Sequence, residues 1–128
     1  MPLKWTISHA NRTVEAVASG HLSLQDIERY LDDIMVSDAL PYHKLFDASQ
    51  ASSAPADEEM MLLGARLSAY ARLGPLGPIA FVAPPAVALQ QKIHLFATLA
   101  PADRPLRIFK VVKAARKWLE TAVGNAPA

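Results

Sequence analysis

The sequence predicts an α/β domain of element order ββαβαβαβα, with a mostly parallel sheet, an N-terminal hairpin and helices packed on the sheet. Apolar and polar residues alternate over Leu3–His9 and Thr13–Ser19, the period of half-buried strands. Three further short apolar runs, Tyr42–Asp47, Pro78–Ala83 and Leu106–Phe109, are each followed by apolar residues at helical spacing. Strands alternating with helices that each need a sheet to cover imply parallel pairing through right-handed crossovers.

The elements follow in order. Leu3, Trp5 and Ile7 form one face of the first strand, Ala10-Asn11-Arg12 a turn, and Val14, Ala16 and Ala18 the inner face of a second strand that ends at Gly20. Ser23-Leu24-Gln25-Asp26 is a helix N-cap with an acid three residues on, a variant of the capping box. Leu24, Ile27, Leu31 and Ile34 then trace an apolar stripe through a helix of about four turns. After Pro41 comes the short buried strand Tyr42–Asp47, and Ala48–Ala56 is expected to be a loop of small residues. Asp57, Glu58 and Glu59 favour a helix start near the positive end of its dipole. Met60, Leu63, Leu67 and Tyr70 give that helix its inner face, and Gly74-Pro75 stops it. The helix after Pro84-Pro85 turns Leu89, Ile93, Phe96 and Ala100 inward. The last one uses Val112, Ala115, Leu119 and Val123, with Trp118 beside them. Residues 1–123 are expected to form one domain and 124–128 a disordered tail.

Composition narrows the function. With 128 residues, 52% apolar and 20% charged, the chain suits one ordinary globular domain. The lack of cysteine excludes disulfides, thiolate chemistry and iron–sulfur clusters. No signal-peptide layout opens the chain and no apolar run is long enough to span a membrane, so a cytoplasmic protein is expected. Net charge is +1, but residues 1–59 carry ten acids and four bases while 60–128 carry two acids and nine bases. That split suggests one folded unit with an acidic and a basic side, able to self-associate. Lys110, Lys113 and Lys117 form a basic stripe with Arg116 beside it, and no aromatic residues interleave to stack bases. Nucleic acid is therefore not expected as a partner.

The hairpin followed by βα units, with Phe46-Asp47-Ala48-Ser49 ending the third strand, resembles the STAS and SpoIIAA-like domains. The ending Arg107-Ile108-Phe109-Lys110, then Ala114-Ala115-Arg116-Lys117-Trp118-Leu119-Glu120, is similar to the close of that group's uncharacterised bacterial branch. The resemblance covers nearly the whole chain. It implies a SpoIIAA-like fold and a non-enzymatic regulatory or protein-interaction module without a cofactor. Through the related CRAL-TRIO domains, it also implies an alternative, a carrier of a lipid or other apolar small molecule. Anti-sigma-factor antagonists of this kind are phosphorylated within an Asp-Ser-Ser-Gly. The corresponding positions here read Ala54-Pro55-Ala56-Asp57, with Ser52-Ser53 close by but out of register.

Ligands of open α/β sheets settle beyond the carboxyl ends of the strands. That rule groups Asp47, Ser49, Ser52, Ser53, Pro84, Pro85 and Lys110 as a candidate ligand or partner site. The competing structural reading has Asp47 and Ser49 bonding the backbone in an Asx- or ST-turn. His9, His21, His43 and His94 show no metal-ligand spacing. Ser49, Asp47 and His43 could be drawn as a triad, but no nucleophile elbow or phosphate-cradling loop accompanies them, and catalysis is not expected. Tyr30, Met35, Met61 and Tyr70 on the first two helices are the candidate contacts of a homodimer.

Because the phospho-acceptor serine and glycine are missing, an anti-sigma-type kinase is expected to leave this chain unmodified. Phosphopeptide mapping after incubation with such a kinase checks this. Stoichiometric phosphate on Ser49, Ser52 or Ser53 contradicts it.

Overall fold

The computed structural model describes residues 2–99 and 104–125. Strands β1 (Leu3–Ser8) and β2 (Thr13–His21) form the hairpin, and helix α1 (Leu24–Val36) leads to β3 (His43–Ser53). Helix α2 (Asp57–Ala71), β4 (Ile79–Val82), α3 (Val87–Leu99), β5 (Leu106–Phe109) and α4 (Val112–Asn125) complete the chain. The expected element order is found. The tail expected from 124 is helical at 124–125 and otherwise lies outside the described residues.

The five strands stand in sequence order, β1-β2-β3-β4-β5. The β1–β2 pair is antiparallel, and β2–β3, β3–β4 and β4–β5 are parallel. Each parallel crossover steps the same way along the sheet, and right-handed crossovers of that kind deliver their helices to one face. Accordingly α1, α2 and α3 share a core with Val14, Ala16, Ala18, Phe46, Ile79 and Phe81. Helix α4 has no further strand to reach and packs alone on the other face, where Ala115 and Leu119 meet Leu45, Ala80 and Val82.

The inner face is threaded by aromatic contacts. Trp5 meets Tyr30 edge-on at 5.5 Å, Tyr30 meets Phe46 at 5.7 Å, Phe46 meets Phe81 at 5.5 Å, and Phe81 meets Phe96 at 6.0 Å. Such pairs contribute beyond their area when offset or edge-on. They link β1, α1, β3, β4 and α3 into one packed layer.

Helix α1 starts as its sequence predicts. Ser23 Oγ accepts from Asp26 N at 3.2 Å, and Asp26 Oδ2 accepts from Ser23 N at 3.0 Å, closing the capping box. Side-chain and backbone bonds from Ser23 hold the Asp26 carboxyl below its ordinary pKa.

Two expectations need correction. The stretch Ala48–Ser53 is strand rather than loop, the second half of an 11-residue β3. Alanine, serine and glutamine are poor strand formers, but β2 runs on to His21 and supplies a partner for them. The pairing steps from Val17↔Asp47 to Ser19↔Gln50 and from Gly20↔Ala51 to His21↔Ser53, so β3 gains one residue at each step, as in β-bulges. The second correction concerns Ile93 and Ile108: an inward helix face and the centre of an apolar strand predict nearly full burial for them, and both are only half-buried. Ile108 lies on β5, which pairs on one side only, and Ile93 borders an internal cavity. Leu31, Phe46, Leu63, Phe81 and Leu119 are buried as expected.

Phe46 touches aromatic rings on two sides, so Phe46→Ala is expected to destabilise the fold by about 3–5 kcal/mol in denaturant unfolding. A loss below about 1 kcal/mol contradicts the packing described.

Candidate functional site

Of the residues grouped at the carboxyl ends of the strands, Asp47, Ser49, Ser53 and Pro84 make hydrogen bonds. Asp47 Oδ1 accepts from Ser49 N at 3.0 Å and from Ser49 Oγ at 2.6 Å. This turn sits at the first bulge, where Ala48 and Ser49 fall between paired residues, so the carboxylate supplies an acceptor that the interrupted ladder lacks. Ser53 Oγ is hydrogen-bonded to His21 Nδ1, and Ser53 O accepts from Leu22 N at 3.0 Å, which joins the ends of β2 and β3. Ser52 is exposed. Pro84 is buried and Pro85 exposed, and Gln90 Nε2 donates to the Pro84 carbonyl at 3.0 Å at the start of α3. Lys110 is exposed just before α4.

A buried polar cluster at the opposite end was not foreseen. Lys44 is 3% exposed, and its Nζ donates to Leu40 O at 2.5 Å, Leu76 O at 2.6 Å and Tyr42 O at 2.8 Å. An ammonium has three donors, and all three are used. Burial, with the charge of Arg104 second, lowers this lysine's pKa, and the three carbonyls oppose that pull by holding all three protons of the ammonium. Arg104 Nε donates to Gly77 O at 2.9 Å, and burial brings its guanidinium down to about 10. Gly77 has φ +78°, and a Cβ there would press on the Tyr42 and Pro41 carbonyl oxygens. Strand alternation puts Lys44 on the inward side with Phe46 and Ala48, which is the signal that could have found it.

Between the sheet and α1–α3 lies a cavity of about 90 Å³ with an almost wholly apolar wall that includes Tyr30, Phe46, Leu67, Phe81 and Ile93. A 150 Å³ apolar cavity is the size that admits one benzene, so this space is too small for an acyl chain. The Tyr30 hydroxyl is buried without a hydrogen-bond partner, and burial raises its pKa.

The outer surface of the helical layer holds the larger feature. On α2, Met61 (58% exposed) and Leu62 (63%) face outward, and Leu73 (67%) stands just past its end. Ala65 and Ala69, also exposed, connect them. This helix is therefore apolar on both sides, with Met60, Leu63 and Leu67 buried beneath. The expected dimer contacts divide here. Tyr30 is 3% exposed between Trp5 and Phe46 and cannot supply surface, which corrects its place in that set. Met35 and Tyr70 are half-buried, the latter receiving Arg66 Nε at 2.7 Å, and Met61 is open. Part of the split of charge between the chain's halves is neutralised internally. Each of the ion pairs among the described residues, Arg66–Glu28, Arg66–Asp32, Lys92–Asp57 and Arg116–Glu15, joins a base of the second half to an acid of the first.

No family model matches the chain, and no curated protein matches it. Solved structures do. The anti-sigma factor antagonist SpoIIAA in its unphosphorylated form matches with a TM-score of 0.59 and 12% identity, over 92% of this chain and 97% of that one. An uncharacterized DUF3478-family protein with a SpoIIAA-like fold from Shewanella loihica PV-4 gives 0.62 at 15% identity, over 91% and 93%. An anti-sigma factor antagonist from Mycobacterium paratuberculosis gives 0.58 at 15%, over 92% and 94%. The chain has the SpoIIAA-like fold. No helix among the described residues is long and apolar enough to cross a membrane.

Lys44→Met removes the donor shared by three carbonyls while keeping the apolar stem. It is expected to destabilise the fold by on the order of 3 kcal/mol, because buried acceptors lose their partner. Denaturant unfolding at pH 7 measures it, and an unchanged midpoint contradicts the structural role of the ammonium.

Proposed function

We propose that this chain is a non-enzymatic regulatory module of STAS-like type that works in the cytoplasm by binding a protein surface with its helical layer. The observation that carries this reading is the outward apolar ridge of α2, formed by Met61, Leu62, Ala65, Ala69 and Leu73 on a helix whose inner side is already packed. A contiguous exposed apolar patch rimmed by charge marks an interaction site more often than a chance arrangement. The rim here is Glu58, Arg66, Arg72 and the Lys92–Asp57 pair. Two of the solved structures with this fold are anti-sigma factor antagonists, which supports a role exercised through protein contact.

The carrier reading is the weaker one. The inner cavity is about 90 Å³, and a lipid needs several times that space. The groups nearest to chemistry, Asp47, Ser49, Lys44 and Ser53, are each committed to a hydrogen bond that shapes the backbone or joins strand ends.

Affinity capture from the protein's own host, with the wild-type chain and with Leu62→Glu/Leu73→Glu, tests the reading. Both side chains are exposed, so the variant is expected to keep its circular dichroism and melting temperature within a few degrees while losing at least tenfold of the captured partner. Undiminished capture by the variant contradicts a docking role for this face.

A further inference from the structure

The α2 ridge has a pattern that specifies its occupant. Glu58, Leu62, Ala65, Ala69 and Arg72 are all exposed and follow one another at spacings of four, three, four and three. That 3.5-residue period is the seam along which two helices pack side by side. The seam begins with an acid, ends with a base and has an alanine at its middle. Neither Glu58 nor Arg72 carries an ion pair among the described residues, whereas Arg66, Lys92 and Arg116 all do.

A seam of this kind is complementary to itself in the antiparallel sense. We infer that its occupant is a second copy of this chain, with two α2 helices crossing antiparallel about a two-fold axis at Ala65. This deepens the docking function proposed above and rests on it. With the axis there, Glu58 of each copy lies against Arg72 of the other, and Leu62 of each lies against Ala69 of the other. The small Ala65 side chains at the crossing let the helices approach closely, and the large Leu62 on one side fills the space left by Ala69 on the other. An isologous contact of this type makes every pairing twice. Antiparallel packing also sets the two helix dipoles in opposite senses, which is their attractive side-by-side arrangement. Parallel packing would instead stack Glu58 on Glu58 and Arg72 on Arg72.

A single-helix seam is well under the roughly 800 Å² per partner of a standard interface. The dimer is therefore weak, with a dissociation constant on the order of 10–100 μM.

Sedimentation equilibrium of the full chain between about 5 and 500 μM tests the geometry. The wild-type chain is expected to shift reversibly from a 13.9 kDa monomer to a dimer of twice that mass. Glu58→Arg and Arg72→Glu each place like charges together twice and are expected to weaken the dimer about tenfold. An equimolar mixture of those two variants restores both oppositely charged pairs and is expected to associate as tightly as the wild type. Mixing repairs no folding defect, so the rescue reads the contact alone. A wild-type chain that stays monomeric at every concentration overturns the inference, and so does a mixture no tighter than its components. If the wild type is monomeric while Leu62→Glu/Leu73→Glu still abolishes capture of a host protein, the second copy is ruled out and the docking face stands. If capture is also unaffected, both fall.

Discussion

A single buried charge fixes the geometry of the central sheet. Lys44 enters β3 with its backbone N–H on the Pro78 carbonyl at 2.9 Å and its ammonium on three more carbonyls, at residues 40, 42 and 76. One side chain thereby ties the turn that precedes β3 to the turn that precedes β4. Strands β3 and β4 start side by side, and the pairs Lys44↔Ile79 through Asp47↔Val82 follow from that start. Bringing a cation out of water is costly, and it is tolerated where every proton finds an acceptor. The close approach of Gly77 to the Tyr42 and Pro41 carbonyls belongs to the same knot, because any side chain there would force the turns apart.

The large-scale plan was legible in the sequence because it rests on periodicity. Alternation over residues 3–9 and 13–19, and helical stripes such as Ile27, Leu31 and Ile34, report burial on one side, and burial on one side is what a layered fold requires. The second half of β3 was not legible, since Ala48–Ser53 has the composition of a loop and becomes strand only because β2 is long enough to pair with it. The candidate residues fared according to how local their partners are. The Asp47–Ser49 turn is two residues wide and could be read directly. Lys44 is tied to Leu76, 32 residues on, and Tyr30 packs against rings of β1 and β3, so their burial depends on tertiary contacts that neither residue type announces.

The two faces of the sheet have unequal cover, and the chain's surface chemistry follows from that. Three helices stand on one face, α2 between its neighbours, and ion pairs stitch them together: Arg66 of α2 to Glu28 and Asp32 of α1, and Lys92 of α3 to Asp57 of α2. Exposed pairs of this kind contribute at most about 1 kcal/mol each, so their larger effect is to hold the flanks of α2 and leave its crest apolar. On the other face α4 covers β3–β5, and the outward residues of β1 and β2, among them Lys4, Thr6, Glu15 and Val17, remain mainly polar. The crest of α2 is left apolar, with Met61, Leu62 and Leu73 exposed along it.

The order of the strands also governs how the chain can be made. Each strand lies beside the one synthesised just before it, with no later segment inserted between earlier neighbours. As the polypeptide leaves the ribosome, the hairpin is available as a template, and every βα unit that follows meets an edge already waiting for it. Loop closure at each step spans only one helix and its turns, which keeps the entropy lost per step small. Growth is thus vectorial: the outer edge of β1 stays open, and the opposite edge is at each moment the place where the next strand docks, so that growing edge is short-lived during synthesis.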